Sequence, residues 1–351
     1  MIPNIKIKEL TIKNFKSIKD LKLECKKINL FIGKPNTGKS NILESIGMFS
    51  LPFASFSLTD LIRLENMYNL FYDNDLTEIV QIINIGELNE NYNYHIELKV
   101  MYKNGQYEIK ADGYNVDHKG FQNIQTDLFF HGIFSENADS RQFEQTAESS
   151  MENFFYKLYK FKVIKVFKSK KATFLLPPHG ENLVHILMTN KPFRNLVSNI
   201  FEEYGYTLVL EPQDSTIKIQ KYTDGVVVSY PYTLASDTLQ RLVFHLAAIT
   251  TNTDSVIILE EPEAHSFPYY TKFLAEKITK SDSNQFFITT HNPYFLSAIL
   301  EKSRAEDVNI FITYFEKFQT KVKCISENEK QEFIDKGAYI FFELDKFIEK
   351  L

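Results

Sequence analysis

The sequence predicts an α/β fold that has a mainly parallel sheet, antiparallel strands near the N-terminus and an inserted α+β lobe. Three apolar runs, at residues 28–32, 255–259 and 285–289, are short and continuous, as strands buried on both faces of a sheet are. The runs at 28–32 and 255–259 are each followed by a segment that is predicted to be helical, at 40–49 and 269–279. Strands that alternate with helices in this way are typical of a parallel sheet.

The composition indicates a folded protein and excludes several classes. The 351 residues are 44% hydrophobic and 24% charged, which is typical of a globular chain. Cys25 and Cys324 are far apart and match no metal-ligand spacing, so we expect free thiols in a reducing compartment and no disulfide framework. No apolar run reaches the roughly 20 residues of a membrane span, and the N-terminus has no signal-peptide core. We therefore expect a cytoplasmic protein without a membrane partner, and its net charge of −5 gives no general attraction to nucleic acid.

The first fifty residues predict two strands, a buried strand, a loop and a helix, in that order. Residues 5–12 and 18–23 alternate apolar and polar side chains, as short strands do. The run at 28–32 ends in Gly33, and apolar residues at 42, 43, 46 and 49 predict a helix over 40–49. A glycine-containing loop therefore connects a buried strand to a helix.

Residues 51–166 change to a polar and aromatic pattern, which predicts a lobe inserted into a domain formed by residues 1–50 and 167–351. Segments 94–102 and 106–111 flank Asn104 and Gly105, which tolerate the positive φ of a hairpin turn. We expect a helix over 143–159 to close the lobe. Beyond it the pattern predicts helices at 183–188, 192–204, 237–250 and 269–279, and a hairpin at 207–228.

The loop after the third strand carries a complete phosphate-binding motif. Residues 33–40 read GKPNTGKS and satisfy G-x-x-x-x-G-K-[ST] at every position. The glycines let backbone N–H groups surround the phosphates of ATP, Lys39 reaches the β and γ oxygens, and Ser40 ligates Mg²⁺. Its position between a strand and a helix argues against a chance match. The predicted nucleotide-binding residues are Gly33, Lys34, Pro35, Asn36, Thr37, Gly38, Lys39, Ser40 and the adjacent Asn41.

Two later strands end in residues that suit nucleotide hydrolysis. Glu260 and Glu261 follow the run at 255–259; Mg²⁺ favours one carboxylate, and a second can orient the attacking water. Glu260 suits the metal role and Glu261 the role of base. His291 follows the run at 285–289, and its imidazole can donate a hydrogen bond to a γ-phosphate. Acids at a strand end are often only a solvated turn and a lone histidine is often structural, but the phosphate loop upstream favours the functional interpretation.

Together these segments resemble the ABC-type ATPases, more closely the branch that contains RecF, the heads of structural-maintenance-of-chromosomes (SMC) proteins and the OLD-family ATPases. Residues 9–18, ELTIKNFKSI, are similar to the strand pair that precedes the phosphate loop in that branch, and GENL at 180–183 is similar to an element ahead of a helix. The resemblance covers about residues 1–50 and 175–300. It implies an ABC-ATPase head that binds ATP and Mg²⁺, with Glu261 and His291 as catalytic residues.

The family's second half-site is a serine and a glycine at a helix N-terminus that meet the γ-phosphate held by the opposite subunit. Here the corresponding residues 234–241, LASDTLQR, precede the paired acids but lack the glycine. Ser236 and the free N–H groups of the helix can bind an anion, whereas Asp237 adds a charge that opposes one. Ser236 can also serve only as the cap of this helix. His265 is similar to a position that OLD-like ATPases use beyond their acids, and it fits a structural role equally well.

The resemblance implies an ATP-driven switch. Two heads close on ATP as a homodimer or higher homo-oligomer, hydrolysis reopens them, and the motion controls a protein effector encoded nearby, as standalone relatives do in bacterial defence against phage. An alternative is a DNA-repair or DNA-tethering ATPase that acts on nucleic acid itself. The lysines and aromatic residues interleaved over 157–171 suit a phosphate backbone, although such a run is more often a solvated surface.

Two enzyme classes fit the sequence less well. An OLD-type nuclease needs a further domain, and only residues 292–351 follow His291, short of the roughly 100 residues typical of one. A small-molecule kinase has no need for paired glutamates together with a histidine, so it is the weakest alternative.

Overall fold

The computed structural model describes residues 6–54, 57–87, 92–117, 122–145, 154–168 and 170–348. The strands are β1 Glu9–Phe15, β2 Ile18–Glu24, β3 Ile28–Gly33, β4 Val80–Glu87, β5 Tyr92–Lys103, β6 Gln106–Asp117, β7 Gln122–Phe134, β8 Ser140–Gln145, β9 Tyr156–Tyr159, β10 Thr207–Glu211, β11 Thr216–Thr223, β12 Val226–Pro231, β13 Val256–Glu260, β14 Gln285–Thr289, β15 Val308–Glu316 and β16 Gln319–Cys324. The helices are α1 Lys39–Gly47, α2 Leu183–Thr189, α3 Lys191–Glu202, α4 Asp237–Thr250, α5 Pro268–Thr279, α6 Pro293–Lys302, α7 Glu327–Lys336 and α8 Leu344–Ile348.

A six-stranded sheet in the order β16-β15-β3-β14-β13-β9 confirms the predicted parallel sheet. All its neighbours are parallel except β15 and β16, which form an antiparallel pair. Since β3, β14 and β13 are adjacent and parallel, their carboxyl ends lie along one edge of the sheet. The sequence motifs predicted to bind and hydrolyse a nucleotide follow these same ends.

The parallel sheet is buried on both faces, which explains its continuous apolar runs. In β3, the side chain of Phe31 packs into a core shared with α1 and the antiparallel strands. Leu30 and Ile32 on the opposite face pack into a second core, which contains α4, α5 and α6. Alternate residues of one strand therefore pack into two different cores. A polar side chain on either face would be shielded from solvent.

A second sheet in the order β2-β1-β4-β5-β6-β7-β8 is antiparallel throughout. It contains the predicted N-terminal pair and the predicted hairpin, whose turn residues Asn104 and Gly105 have φ of 51° and 76°. Because β4 pairs with β1, the residues of the predicted lobe continue the sheet that the N-terminal strands begin. The domain division at residues 50 and 167 stays a prediction.

The helix predicted over 143–159 is wrong. Residues up to 145 belong to β8, residues 156–159 form β9, and residues 146–153 lie outside the described residues. All four side chains of β9 are buried, and β9 pairs with β13, with Tyr156 opposite Val256. An apolar aromatic run of this kind suits a strand or a helix equally, so tertiary pairing decided the outcome.

The other predicted elements are present, with α4 at the predicted bounds and β10 and β11 forming the predicted hairpin, which β12 extends to a three-stranded sheet. Among the helices of the described ranges, none has the length and apolar character needed to span a membrane.

Candidate active site

The phosphate loop connects β3 to α1 and packs against β15 and β16. Gly33 and Gly38 have φ of 149° and 91°. A Cβ on Gly38 would lie 2.0 Å from Oγ1 of Thr320, and one on Gly33 would lie 2.4 Å from the carbonyl oxygen of Thr313. Oγ1 of Thr37 shares a hydrogen bond of 2.7 Å with Oγ1 of Thr313. Backbone conformation and close packing therefore both require the two glycines of the motif.

Lys39 opens α1, and its ammonium group lies inside the loop. The side chain is buried, and Nζ donates to the carbonyl oxygens of Gly33 at 2.8 Å and Lys34 at 2.7 Å. Burial lowers the pKa of Lys39 to about 8, and the negative charge of Glu261 opposes this effect. The lysine is thus mostly charged at neutral pH, and it already has acceptors that phosphate oxygens would replace.

The two side chains predicted to hold magnesium meet at the end of β13. Oγ of Ser40 donates to Oε1 of Glu260 at 2.5 Å. A guanidinium nitrogen of Arg63 lies 3.0 Å from Oγ of Ser40 and 2.7 Å from Oε1 of Glu260. One hydroxyl and one carboxylate are the protein ligands that Mg²⁺ takes beside a nucleotide, where phosphates and water supply the rest. The donor set, which already holds a cation here, therefore fits the metal.

Glu261 and His291 form a second pair across the end of β14. Nε2 of His291 lies 3.2 Å from Oε1 of Glu261. The φ of Glu261 is 44°, and its N–H donates to the carbonyl oxygen and Oγ1 of Thr289 at 3.1 and 3.3 Å. Burial and the charge of Lys39 lower the pKa of His291, so its imidazole is neutral at pH 7. The two adjacent acids therefore face different partners: Glu260 the phosphate loop, Glu261 the histidine.

A third acid, Glu263, lies buried beneath this pair. Oγ1 of Thr290 donates to its Oε1 at 2.5 Å. Burial raises the pKa of Glu263 to about 7, and the bond from Thr290 opposes the rise. The contact joins the segment after β13 to the segment after β14, and so it fixes the spacing of the catalytic candidates.

These groups line one cleft of about 890 Å³, a volume typical of a nucleotide or cofactor site. The predicted residues that line it are Pro35, Asn36, Thr37, Gly38, Lys39, Ser40, Asn41, Glu260, Glu261 and His291. Gly33 and Lys34 contribute through the carbonyl groups that accept from Lys39. The fold thus brings together the three segments whose order along the chain suggested the site.

Ser236 caps α4 and is exposed outside the lining of this cleft. Its hydroxyl accepts a hydrogen bond from the N–H of Leu239 at 3.3 Å. Oδ2 of Asp237 accepts from Nε of Arg241 at 2.6 Å and lies 3.7 Å from Nδ1 of His265. The charge that would oppose an anion at this helix is therefore partly neutralised within the chain, and Arg241 itself lines the cleft.

A cluster of charges at the side of the cleft is not predicted by any sequence motif. Glu44 is buried on α1, and Nζ of Lys16 lies 2.6 Å from its Oε2. Nε of Arg63 and Nζ of Lys160 lie 3.6 and 3.8 Å from its Oε1. Lys16 belongs to the N-terminal motif and Lys160 to the basic run at 157–171, but no sequence signal marks Glu44 or Arg63, and only the tertiary fold brings the four together.

The lysines of residues 157–171 do not form one continuous basic surface. Lys157 is buried, Lys160 faces Glu44, and Nζ of Lys168 lies 2.7 Å from Oε1 of Glu181. This arrangement reduces the support for direct binding of nucleic acid by this segment.

The chain is related to known proteins in family, sequence and fold. The family model described as AAA ATPase domain matches residues 5–192, more than half of the chain. The ATP/GTP phosphatase of Helicobacter pylori is 20% identical over 365 aligned residues, which cover 92% of this chain and 93% of that protein. The DNA replication and repair protein RecF of Caldanaerobacter subterraneus is 29% identical over 117 residues, 32% of this chain and 29% of RecF.

A solved structure has the same fold across nearly the whole chain. It is the SMC head bound to the C-winged helix domain of ScpA, with a TM-score of 0.50 and 14% identity, and the match covers 93% of this chain and 99% of that chain. This likeness confirms the predicted α/β head fold, while the likeness to OLD-family proteins stays a prediction. Since the family model spans more than half of its residues, the chain belongs to the AAA ATPase domain family, and its fold is similar to that of the SMC head.

Proposed function

We propose that the chain binds ATP with Mg²⁺, hydrolyses it slowly and uses the cycle as a switch. The observation that carries this proposal is the meeting of the phosphate loop, the Glu260–Glu261 pair and His291 in one cleft. That cleft lies at the carboxyl ends of parallel strands, where ligands of such sheets bind. Membership of the ATPase family and the name of the Helicobacter pylori relative, ATP/GTP phosphatase, support the same reaction.

Lys39 and the N–H groups of the loop are the proposed phosphate ligands. The ammonium of Lys39 would leave the carbonyl groups of Gly33 and Lys34 and bind the β and γ oxygens. Nδ2 of Asn41 donates to Oγ of Ser17 at 2.7 Å. This bond ties the first turn of α1 to the N-terminal strands, so the loop is held in place before a nucleotide arrives.

Glu261 is the proposed base. Its carboxylate takes a proton from water as the water oxygen attacks the γ-phosphorus, the bond from that phosphorus to the β–γ bridging oxygen breaks, and ADP leaves. His291 orients the Glu261 carboxylate and is placed to exchange that contact for the γ-phosphate. Mg²⁺ held by Ser40 and Glu260 would offset the negative charge of the phosphates.

We further propose that ATP joins two copies of the chain across this edge. Leu234, Phe267, Tyr269 and Tyr294 stand just before or within the first turns of α4, α5 and α6, and each is between 62% and 69% exposed. Large exposed apolar side chains are enriched at protein interfaces. Ser236, two residues after Leu234, is the residue proposed to reach the nucleotide of the second copy.

Light scattering tests this pairing. The Glu261→Gln protein should form a larger assembly with ATP than with ADP at micromolar concentration, and Ser236→Arg should abolish the difference by placing bulk in the contact. Ser326→Arg is a matched control, because Ser326 is also an exposed serine that caps a helix, α7. A mass that does not depend on nucleotide, or equal effects of the two arginine substitutions, would contradict the proposal.

The proposed output is control of a protein effector by the closed pair. The solved SMC head that shares this fold is bound to a protein domain, the C-winged helix domain of ScpA, which supports a protein partner for such a head. A role in defence against phage rests on the family resemblance alone. Salt-dependent binding of duplex DNA by the purified chain would instead favour the alternative of an ATPase that acts on DNA.

A further inference from the structure

Arg63 occupies the place that a metal ion would take in the proposed site. Its guanidinium nitrogen contacts Oγ of Ser40 at 3.0 Å and Oε1 of Glu260 at 2.7 Å, the same two atoms proposed to ligate Mg²⁺. A guanidinium and a divalent cation cannot share one carboxylate oxygen at this distance without strong repulsion. Binding of the metal therefore requires the Arg63 side chain to move.

Two hydrogen bonds hold the main chain of Arg63, whereas its side chain is largely exposed. Its N–H donates to Oε1 of Glu44 at 3.0 Å, and its carbonyl oxygen accepts from Nζ of Lys16 at 2.6 Å. The side chain is 70% exposed. Glu44 keeps its contacts with Lys16 and Lys160 when the guanidinium leaves, so the displacement does not leave a buried carboxylate without a partner.

A second cavity offers room for the displaced side chain. It has a volume of about 770 Å³, lies beside the nucleotide cleft and shares Lys16 and Arg63 with it. Glu65 and Asp73 also line this cavity. When the Arg63 guanidinium leaves Glu260, the carboxylates of Glu65 and Asp73 would thus be available in the second cavity.

We propose that Arg63 is an internal counter-ion that holds Ser40 and Glu260 in the metal-free protein, and that Mg²⁺ displaces it toward the second cavity when a nucleotide binds. This inference rests on the proposed function, because it takes Ser40 and Glu260 as the metal ligands. Arg63 is then a positioning residue, and Mg²⁺ must displace its guanidinium to reach Ser40 and Glu260. Its removal should strengthen the dependence of nucleotide binding on Mg²⁺.

Calorimetry with ADP tests the inference without turnover. The affinity of the full chain for ADP is measured with Mg²⁺ and with EDTA, and the ratio of the two affinities reports how strongly the metal assists the nucleotide. Arg63→Met should raise this ratio about fivefold over the wild type, the effect of losing an exposed ion pair of ~1 kcal/mol. Arg63→Gln should raise the ratio by a similar factor, whereas Arg63→Lys should leave it near the wild-type value.

Arg241→Met is the matched control, since Arg241 lines the same cleft but pairs with Asp237. It should leave the ratio unchanged whatever it does to the two affinities. An unchanged ratio in Arg63→Met and Arg63→Gln would mean that Arg63 acts only structurally, and a lower ratio would mean that it assists the metal; either result overturns the inference. A wild type that binds no ADP under either condition would instead reject the proposed nucleotide site and this inference with it.

Discussion

Replacement of Lys39 by methionine removes a charge from the phosphate loop while it keeps the length of the side chain. In the nucleotide-free chain Nζ donates to two carbonyl oxygens at 2.8 and 2.7 Å, and a bound nucleotide would offer phosphate oxygens instead. A hydrogen bond with a charged partner contributes about 1.5–3 kcal/mol, so the loss of one such net contact should weaken ATP binding about 10- to 100-fold.

The same lysine should make binding depend on pH. Its pKa is about 8 in the nucleotide-free chain, because the ammonium is buried. An anion favours the protonated form, so affinity should be highest below this pKa and fall as pH rises through it. From pH 7 to pH 9 the charged fraction falls from about nine tenths to about one tenth, which predicts an affinity about tenfold lower at pH 9.

Calorimetric titration of ATP with Mg²⁺ at pH 7, 8 and 9 measures both effects. Lys39→Arg is the control, because arginine keeps its charge throughout this range and should show no such fall. The lowered pKa of His291 places its titration below pH 7, outside the window. Equal ATP affinity in Lys39→Met and the wild type would refute the assignment of the loop, and a flat wild-type profile between pH 7 and 9 would refute the role of the buried ammonium.

Four further substitutions test the site and the core. Glu261→Gln should keep ATP binding and lose turnover, whereas Glu260→Gln should also alter the Mg²⁺ requirement. Phosphate release measured across a series of Mg²⁺ concentrations separates the two effects. Turnover at the wild-type rate in Glu261→Gln would contradict the role of Glu261 as the base. Burial lowers the pKa of Lys157 to about 7, so the unfolded chain binds more protons above that pH and Lys157 should contribute about 2 kcal/mol to a rise in the free energy of unfolding from pH 7 to pH 9. Urea unfolding at both pH values should show a rise that is smaller by about this amount in Lys157→Met than in the wild type; the part that remains comes from other buried lysines such as Lys39. Gly38→Ala should lower the free energy of unfolding by about 1–3 kcal/mol, since the new Cβ would meet Thr320 at 2.0 Å and φ is 91°; an unchanged urea midpoint would contradict this.

The parallel sheet could be predicted because its strands are buried on both faces. The sequences of β3, β13 and β14 are mostly apolar, with Asn29 and Gln285 as buried polar exceptions, and each strand ends where polar or glycine residues begin. Helix α4 was predicted at its observed bounds, since Ser236 caps its first turn. Most of the residues proposed for the site directly follow these strands. Whether they meet in one cleft therefore depends on the order of the strands in the sheet. The alternation of strands and helices already predicted a parallel sheet, in which such strand ends lie along one edge.

The charge cluster around Glu44 could not be predicted in the same way. Lys16 and Glu44 are 28 residues apart, and Arg63 comes from a segment between α1 and β4 that has no periodic pattern. The strand β9 was missed for a related reason. Its four residues are buried because β13 pairs with them, and pairing between residues about 100 apart leaves no local signal in the chain.

The contacts of the cleft explain what a nucleotide must do to bind there. Lys39 is held by carbonyl groups, Glu260 by Arg63, and Glu261 by His291, so the principal charges of the site already have partners. A nucleotide would therefore exchange existing contacts for new ones and would not neutralise bare charges, and each exchange would contribute only about 1–3 kcal/mol net. Affinity would then come from several exchanges made together: Ser40 and Glu260 would exchange Arg63 for the metal, and Lys39 would exchange carbonyl oxygens for phosphate oxygens. In the proposed function the γ-phosphate would contact the Glu261–His291 pair, so we expect the distinction between ATP and ADP to depend on that contact.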